Sequence, residues 1–124
     1  QLTFSQEIKM DGAIIVSTPQ EVALLDVKRG IKMFDKLGVK ILGLVDNMSY
    51  FTGDDGKRYK IFGEGGVKKT AEEFNKDFLV EIPIYSEVGK CGDEGKPIVE
   101  ANPNHEVSKI YIELAKKIKS IYFD

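Results

Sequence analysis

The chain has 124 residues, 42% of them hydrophobic and 31% charged, the proportions of one ordinary globular domain. Eighteen Lys and Arg against twenty Asp and Glu leave a net charge of −2; with the two signs interspersed, this argues against a binder of nucleic-acid backbone and predicts no strong electrostatic steering. No apolar run approaches the ~20 residues that cross a bilayer, Gln1 to Met10 lacks the basic start and apolar stretch of a signal peptide, and the single cysteine, Cys91, excludes an internal disulfide and fits a reducing cytoplasm.

In chain order, Gln1–Ile8 offers a helix without an N-terminal cap. Because Gln1 is not Met, the chain is expected to begin inside a longer reading frame or after processing. Gly12-Ala13-Ile14-Ile15-Val16-Ser17 is continuously apolar and predicts a parallel-type strand buried on both faces. A helix follows, with Thr18 as N-cap, Pro19 in the first position and Glu21 completing a capping box. Leu24, Val27, Ile31 and Phe34 recur on one face of it, and Gly38 is placed as a left-handed cap. Val39–Val45 predicts a second buried strand, so strand, helix and strand form a βαβ unit with a right-handed crossover.

Aromatic runs on either side of Gly53-Asp54-Asp55-Gly56 predict a β-hairpin over about 49–62. A helix is expected from Val67 to about Asn75, and a third strand over Phe78–Ile82, ended by Pro83. A short helix is expected over Tyr85–Lys90, then a loop over Cys91–Pro103. The final helix is expected from near Asn104 to about Tyr122, with Val107, Ile110, Tyr111, Leu114, Ile118 and Ile121 as its buried stripe. Its lysines Lys116, Lys117 and Lys119 suit the negative end of the helix dipole. The fold class is α/β: residues 1–124 read as one domain built on a partial, doubly wound parallel sheet.

Several residues carry candidate chemistry. Gly63-Glu64-Gly65-Gly66-Val67-Lys68-Lys69-Thr70 is either a glycine-rich turn into a helix or an anion site at a helix N-terminus. It is not a Walker A motif, because Lys68 stands where glycine must precede the Lys-Thr pair. Asn47 ends the second strand at the carboxyl edge of the sheet, where open α/β folds bind ligands. Its amide donates and accepts together, matching a purine edge, or it bonds its own loop backbone. Asp54 and Asp55 are a solvated hairpin tip or a pair of hard oxygen ligands. Cys91, beside Lys90, is a small loop residue or a mildly activated thiol. His105, the only histidine, has no partner spacing for a triad, and Asp93-Glu94 reads as a solvated pair. No catalytic residue and no metal ligand is assigned.

Three stretches in this order, Ser17–Asp26 with its Thr-Pro-Gln, Asp46-Asn47-Met48-Ser49-Tyr50-Phe51, and Ile61-Phe62-Gly63-Glu64-Gly65-Gly66, resemble the C-terminal half of the Mrp-type iron–sulfur carrier ATPases, relatives of the MinD/ParA P-loop proteins. Gln1-Leu2-Thr3 resembles the stretch after that family's switch II, and Gly92–Pro97 its loop before the final helix. The resemblance implies a MinD-like P-loop NTPase sheet without its Walker A half. It implies an adenine contact from Asn47 and backbone contacts from Pro83 and Ile84. It further implies ATP, with Mg²⁺ when the N-terminal half is supplied; a homodimer or a full-length ATPase as partner; and iron–sulfur apoproteins as clients.

The family's Asn-Met-Ser-Tyr-Phe is typically followed by Cys-Pro-x-Cys, which holds a bridging cluster between two subunits. Here Thr52-Gly53-Asp54-Asp55 follows instead, and cluster ligation needs thiolates in pairs. The expected function is therefore the C-terminal part of an ATP-binding iron–sulfur cluster carrier, a cytoplasmic hydrolase family. The chain is expected to be inactive alone, since the phosphate cradle that positions phosphoryl transfer is not in it. A non-catalytic scaffold pairing with a full-length MinD/ParA-like ATPase is the alternative.

Overall fold

A computed structural model describes residues 10–123; the helix considered for Gln1–Ile8 and the resemblance carried by Gln1–Thr3 lie outside the described residues. The elements are β1 (Ala13–Ser17), α1 (Glu21–Leu37), β2 (Ile41–Asn47), β3 (Phe51–Thr52), β4 (Arg58–Tyr59), α2 (Gly66–Glu73), β5 (Phe78–Ile82), α3 (Ser86–Asp93), α4 (Ile98–Ala101) and α5 (Glu106–Tyr122). β1, β2 and β5 make a parallel sheet with β2 in the middle, and β3 and β4 form a separate antiparallel hairpin.

Helices cover both faces of the sheet, as an α/β layer architecture requires. On one face Val27, Ile31 and Phe34 of α1 meet Val67 and Ala71 of α2 over Ile41 and Leu44. On the other, Val45, Leu79 and Ile82 meet Ile98 and Val107, with Ile110, Leu114 and Ile118 of α5 packed alongside. Ile31, Val67 and Val107 are fully buried, each worth about 1.5–3 kcal/mol of transfer free energy.

The middle strand hides an irregularity. Ala13 pairs with Ile41 but Ile14 pairs with Gly43, so Leu42 is an extra residue, a bulge that switches the side-chain alternation. That is why Ile41 and Leu44 share one core. Gly43 has φ 156, and a Cβ there would lie 2.5 Å from the Leu79 side chain, so glycine lets the neighbouring strand close in. The carbonyl of the bulged Leu42 accepts a hydrogen bond from the Tyr122 hydroxyl at 2.8 Å, which also lies 2.9 Å from the Asp77 carboxylate. The end of α5 is thereby fastened to the sheet.

The structure departs from the sequence expectations in five places. β1 is not buried on both faces: Ile14 and Val16 are exposed, because α5 covers β5 rather than β1. α1 begins at Glu21 with Gln20 in extended conformation as N-cap and no side-chain cap bond; Thr18 Oγ1 instead donates to the Gln20 side chain at 3.2 Å. The span 91–103 is not all loop, since α3 runs to Asp93 and α4 occupies Ile98–Ala101. α5 starts at Glu106 behind His105 rather than at Asn104. Tyr111 and Ile121 face outward, while Val107, Ile110, Leu114 and Ile118 carry the packing of the helix. The Gly38 cap does form: its N–H reaches Asp35 C=O, and the Val39 N–H reaches Phe34 C=O.

Candidate functional site

The carboxyl ends of the three parallel strands lie side by side, with Ser17 opposite Asp46, Asp46 opposite Glu81, and Asn47 opposite Ile82. Asn47 is half-buried at the very end of β2, and Pro83 is buried beside it with Ile84 half-buried. Two backbone bonds frame this edge, Ser49 N–H to Ile82 C=O at 2.9 Å and Ile84 N–H to Tyr50 C=O at 2.7 Å. Among the described residues no hydrogen bond engages the Asn47 amide, so its donor and acceptor are both open to a planar partner. Between Asn47 and Ser49, Met48 takes φ 53, a left-handed conformation that costs a non-glycine residue about 1–3 kcal/mol and that clusters at functional sites.

Beneath that strained turn lies a polar group the sequence reading passed over. Asp46 is 2% exposed, yet among the described residues its Oδ1 has no hydrogen-bond partner. Its Oδ2 accepts from Ser49 Oγ at 3.1 Å, and Ser49 Oγ is also 3.2 Å from Glu81 Oε2. Lys60 pairs with the same Glu81 oxygen at 3.0 Å. Burial is the main reason the Asp46 carboxyl is pushed up to about 6; Glu81 adds to the rise, while Ser49 and Lys60 oppose it. The signal available in sequence was a carboxylate closing an apolar strand with serine three residues on.

The hairpin leaves from this root. Tyr50 is buried with the Arg58 guanidinium 4.2 Å above its ring, and burial raises its hydroxyl pKa. At the tip, Asp55 accepts from the Lys57 N–H and the Tyr59 hydroxyl, and the Tyr59 bond is the main reason its carboxyl is lowered. Asp55 is thus occupied in shaping the turn, and among the described residues no group of three His, Cys, Asp or Glu side chains is placed to hold a metal ion. Cys91 sits half-buried in α3.

The glycine-rich segment is explained by packing. A Cβ on Gly63, at φ 138, would stand 2.7 Å from the Pro19 carbonyl oxygen, and one on Gly66 would stand 2.6 Å from Leu24. The glycines let this loop close over the start of α1. Lys69 is exposed on α2. A groove of about 820 Å³ runs along the junction, lined by Val22, Leu25, Phe62 and Lys69 among others; Val22, Leu25 and Phe62 are exposed.

His105 caps α5: its Nδ1 accepts from the Val107 N–H at 3.0 Å, so Nε2 carries the hydrogen and faces Glu87 at 3.2 Å. Tyr85 packs edge-on against the His105 ring and donates to Glu106, a bond that pushes the Tyr85 hydroxyl up to about 12. These residues tie α3 to α5.

The fold is an α/β layer built on a parallel sheet, the class in which ligands bind at the carboxyl ends of the strands, and the strained, polar turn stands at that edge. The family model of the NUBPL iron-transfer P-loop NTPases matches residues 1–119, and the chain belongs to that family. It is 44% identical over 120 residues to the iron–sulfur cluster carrier protein of Synechocystis and 45% identical over 118 residues to the iron–sulfur cluster transfer protein NUBPL of Dictyostelium discoideum. These alignments cover 95% and 94% of this chain but 34% and 36% of those relatives, so the chain spans about a third of their length.

Among solved structures, a nucleotide-binding protein of Archaeoglobus fulgidus in complex with ADP matches at TM-score 0.67 and 41% identity, over 77% of this chain and 40% of that one. The cell division ATPase MinD of Pyrococcus furiosus matches at TM-score 0.70 and 23% identity, over 90% of this chain and 43% of that one, a likeness of fold. No helix among the described residues is long and apolar enough to cross a membrane.

Proposed function

We propose that this chain is the C-terminal portion of an ATP-binding iron–sulfur cluster carrier, supplying the adenine side of the nucleotide site. Asn47 reads the purine edge, while Pro83 and Ile84 furnish flanking backbone contacts. The observation that carries this reading is the open Asn47 amide at the carboxyl end of the middle strand, next to a strained Met48 and the buried Pro83. The ADP complex of the Archaeoglobus fulgidus relative supports it.

Phosphates and Mg²⁺ require a cradle of converging N–H groups with a P-loop lysine; no such motif occurs in these residues. Turnover therefore belongs to the chain joined to a segment that bears one. The exposed Val22, Leu25 and Phe62 form part of the surface that meets a second copy or a full-length ATPase. The cluster is cargo, and Cys91, a lone thiol, does not fit the paired ligation it needs; delivery to apoproteins rests on ligands outside these residues.

The test is a titration of the isotope-labelled chain with ADP. Shifts confined to Asn47, Met48 and residues 83–85, and lost in Asn47→Ala, are expected; shifts elsewhere, or unchanged in that variant, refute the site. If no shift occurs at millimolar ADP while a full-length relative co-purifies with the chain, the scaffold reading, which the exposed apolar groove favours, replaces it.

A further inference from the structure

Ser49 stands between two carboxylates with a single hydrogen to give. Its Oγ is 3.1 Å from Asp46 Oδ2 and 3.2 Å from Glu81 Oε2, and the residue is 1% exposed. A hydroxyl donates once. With both acids ionised, one of them faces a lone pair of Ser49 rather than a hydrogen. The groups facing Asp46 are Glu81 from β5, Lys60 from the strand exit of the hairpin, Ser49 from its own turn and the uncharged Ser17 across the β1 ladder. Lys60 lies on Glu81, so the string Asp46, Glu81 and Lys60 keeps one uncompensated negative charge in a buried place, which is costly.

One proton on Asp46 resolves the shortage of donors and the excess charge together. The Asp46 O–H then donates to Ser49 Oγ, the Ser49 O–H donates to Glu81 Oε2, and Lys60 donates to the same oxygen. The bonds run one way from end to end, the string is neutral, and the partnerless Oδ1 becomes a carbonyl oxygen instead of half a carboxylate.

We propose that Asp46 is a positioning residue for the nucleotide edge: carrying a proton, it completes a hydrogen-bond chain through Ser49 and Glu81 to Lys60 that holds the Asn47–Ser49 turn against β5. This rests on the reading of Asn47 as the purine contact. Loss of the proton forces Ser49 to abandon one acid. The turn, already strained at Met48 (φ 53) and held by the Ser49 to Ile82 and Ile84 to Tyr50 backbone bonds, then loosens, and Asn47 is no longer held in place. The edge is tight in mild acid and slack above neutrality. The mechanism is one of cooperativity within a buried polar string.

The experiment follows backbone amides of the labelled chain by NMR from mild acid to mild alkali, without ligand and then with adenosine, whose base and sugar do not titrate in that range. In the unaltered chain, the Ser49 and Ile84 amides are expected to shift together with a midpoint near the value of about 6 for Asp46, and adenosine affinity is expected to fall severalfold across it. Asp46→Asn, whose amide N–H donates to Ser49 at every pH, should abolish both trends and keep the two amides protected from exchange. Ser49→Ala should leave Asp46 titrating but uncouple the Ile84 amide from it. A joint shift that persists in Asp46→Asn, or no shift in the unaltered chain, overturns the proposal. Adenosine binding away from Asn47, with the amide titration intact, overturns the purine reading and the positioning role with it.

Discussion

Asp46→Asn should make the protein more stable, and only above a particular pH. The carboxyl rises from an ordinary 3.8 to about 6 when the chain folds, chiefly through burial. A raised acid is a penalty on the folded state once the group is ionised. Below 3.8 the acid is neutral both folded and unfolded, and no penalty exists. Between that value and about 6 the unfolded chain releases the proton and the folded chain keeps it, so stability falls as pH rises. Above 6 both are ionised and the full penalty stands, about 3 kcal/mol for a gap of this size.

Asparagine removes that penalty while keeping a donor for Ser49, and it retains the unpartnered oxygen in neutral form. The expected gain at pH 7.5 is about 1–3 kcal/mol, the lower figure allowing for imperfect hydrogen bonding. For a domain of this size that is a rise in Tm of roughly 3–10 °C. Urea unfolding followed by circular dichroism at pH 4 and at pH 7.5 reads the effect. A difference of no more than about 0.5 kcal/mol at pH 4 and the full gain at pH 7.5 are expected. A variant that is less stable at both pH values would refute the reasoning, because it would mean that the ionised carboxylate is held by partners and not merely stranded.

Gly63→Ala places a Cβ 2.7 Å from the Pro19 carbonyl oxygen at φ 138, and since backbone cannot move aside, a loss of about 1–3 kcal/mol in urea unfolding is expected. Tyr122→Phe removes the hydroxyl that serves the bulged Leu42 carbonyl at 2.8 Å; a cost of about 1 kcal/mol is expected, with faster amide exchange at the C-terminal end of α5. Ile31→Ala, at 0% exposure, should cost about 2–5 kcal/mol, whereas Ile121→Ala, at 56% exposure, should change stability by less than about 0.5 kcal/mol; comparable losses in the two would contradict the placement of α5.

The repeating elements were legible because periodicity is a local property. β2, all apolar from Ile41 to Val45, could be nothing but an interior strand, and the Leu24, Val27, Ile31, Phe34 spacing could only face a sheet. What failed to show was anything set by a distant neighbour. Whether Ile14 and Val16 are covered depends on where α5 lies, which no residue of β1 encodes. The bulge at Leu42 had a hint in Gly43, a glycine among aliphatics, yet its partner Tyr122 is eighty positions away. Asn47 stood out because an amide at a strand end has a known use, while Asp46 beside it gained its importance only once the parallel register set Glu81 opposite.

The same consideration joins two motifs that read separately in the chain. Thr18-Pro19-Gln20 looked like a helix cap, and Gly63-Glu64-Gly65-Gly66 looked like an anion loop or a plain turn. In the fold they are the two halves of one contact. Pro19 has its φ fixed by its ring, α1 starts only after it, and Gly63 lies so close to the Pro19 carbonyl that no side chain fits between them. Neither segment therefore tolerates free substitution unless the other yields. Their joint presence reports a required geometry at the mouth of the sheet, with the exposed Val22, Leu25 and Phe62 arranged around it, rather than two independent chemical sites.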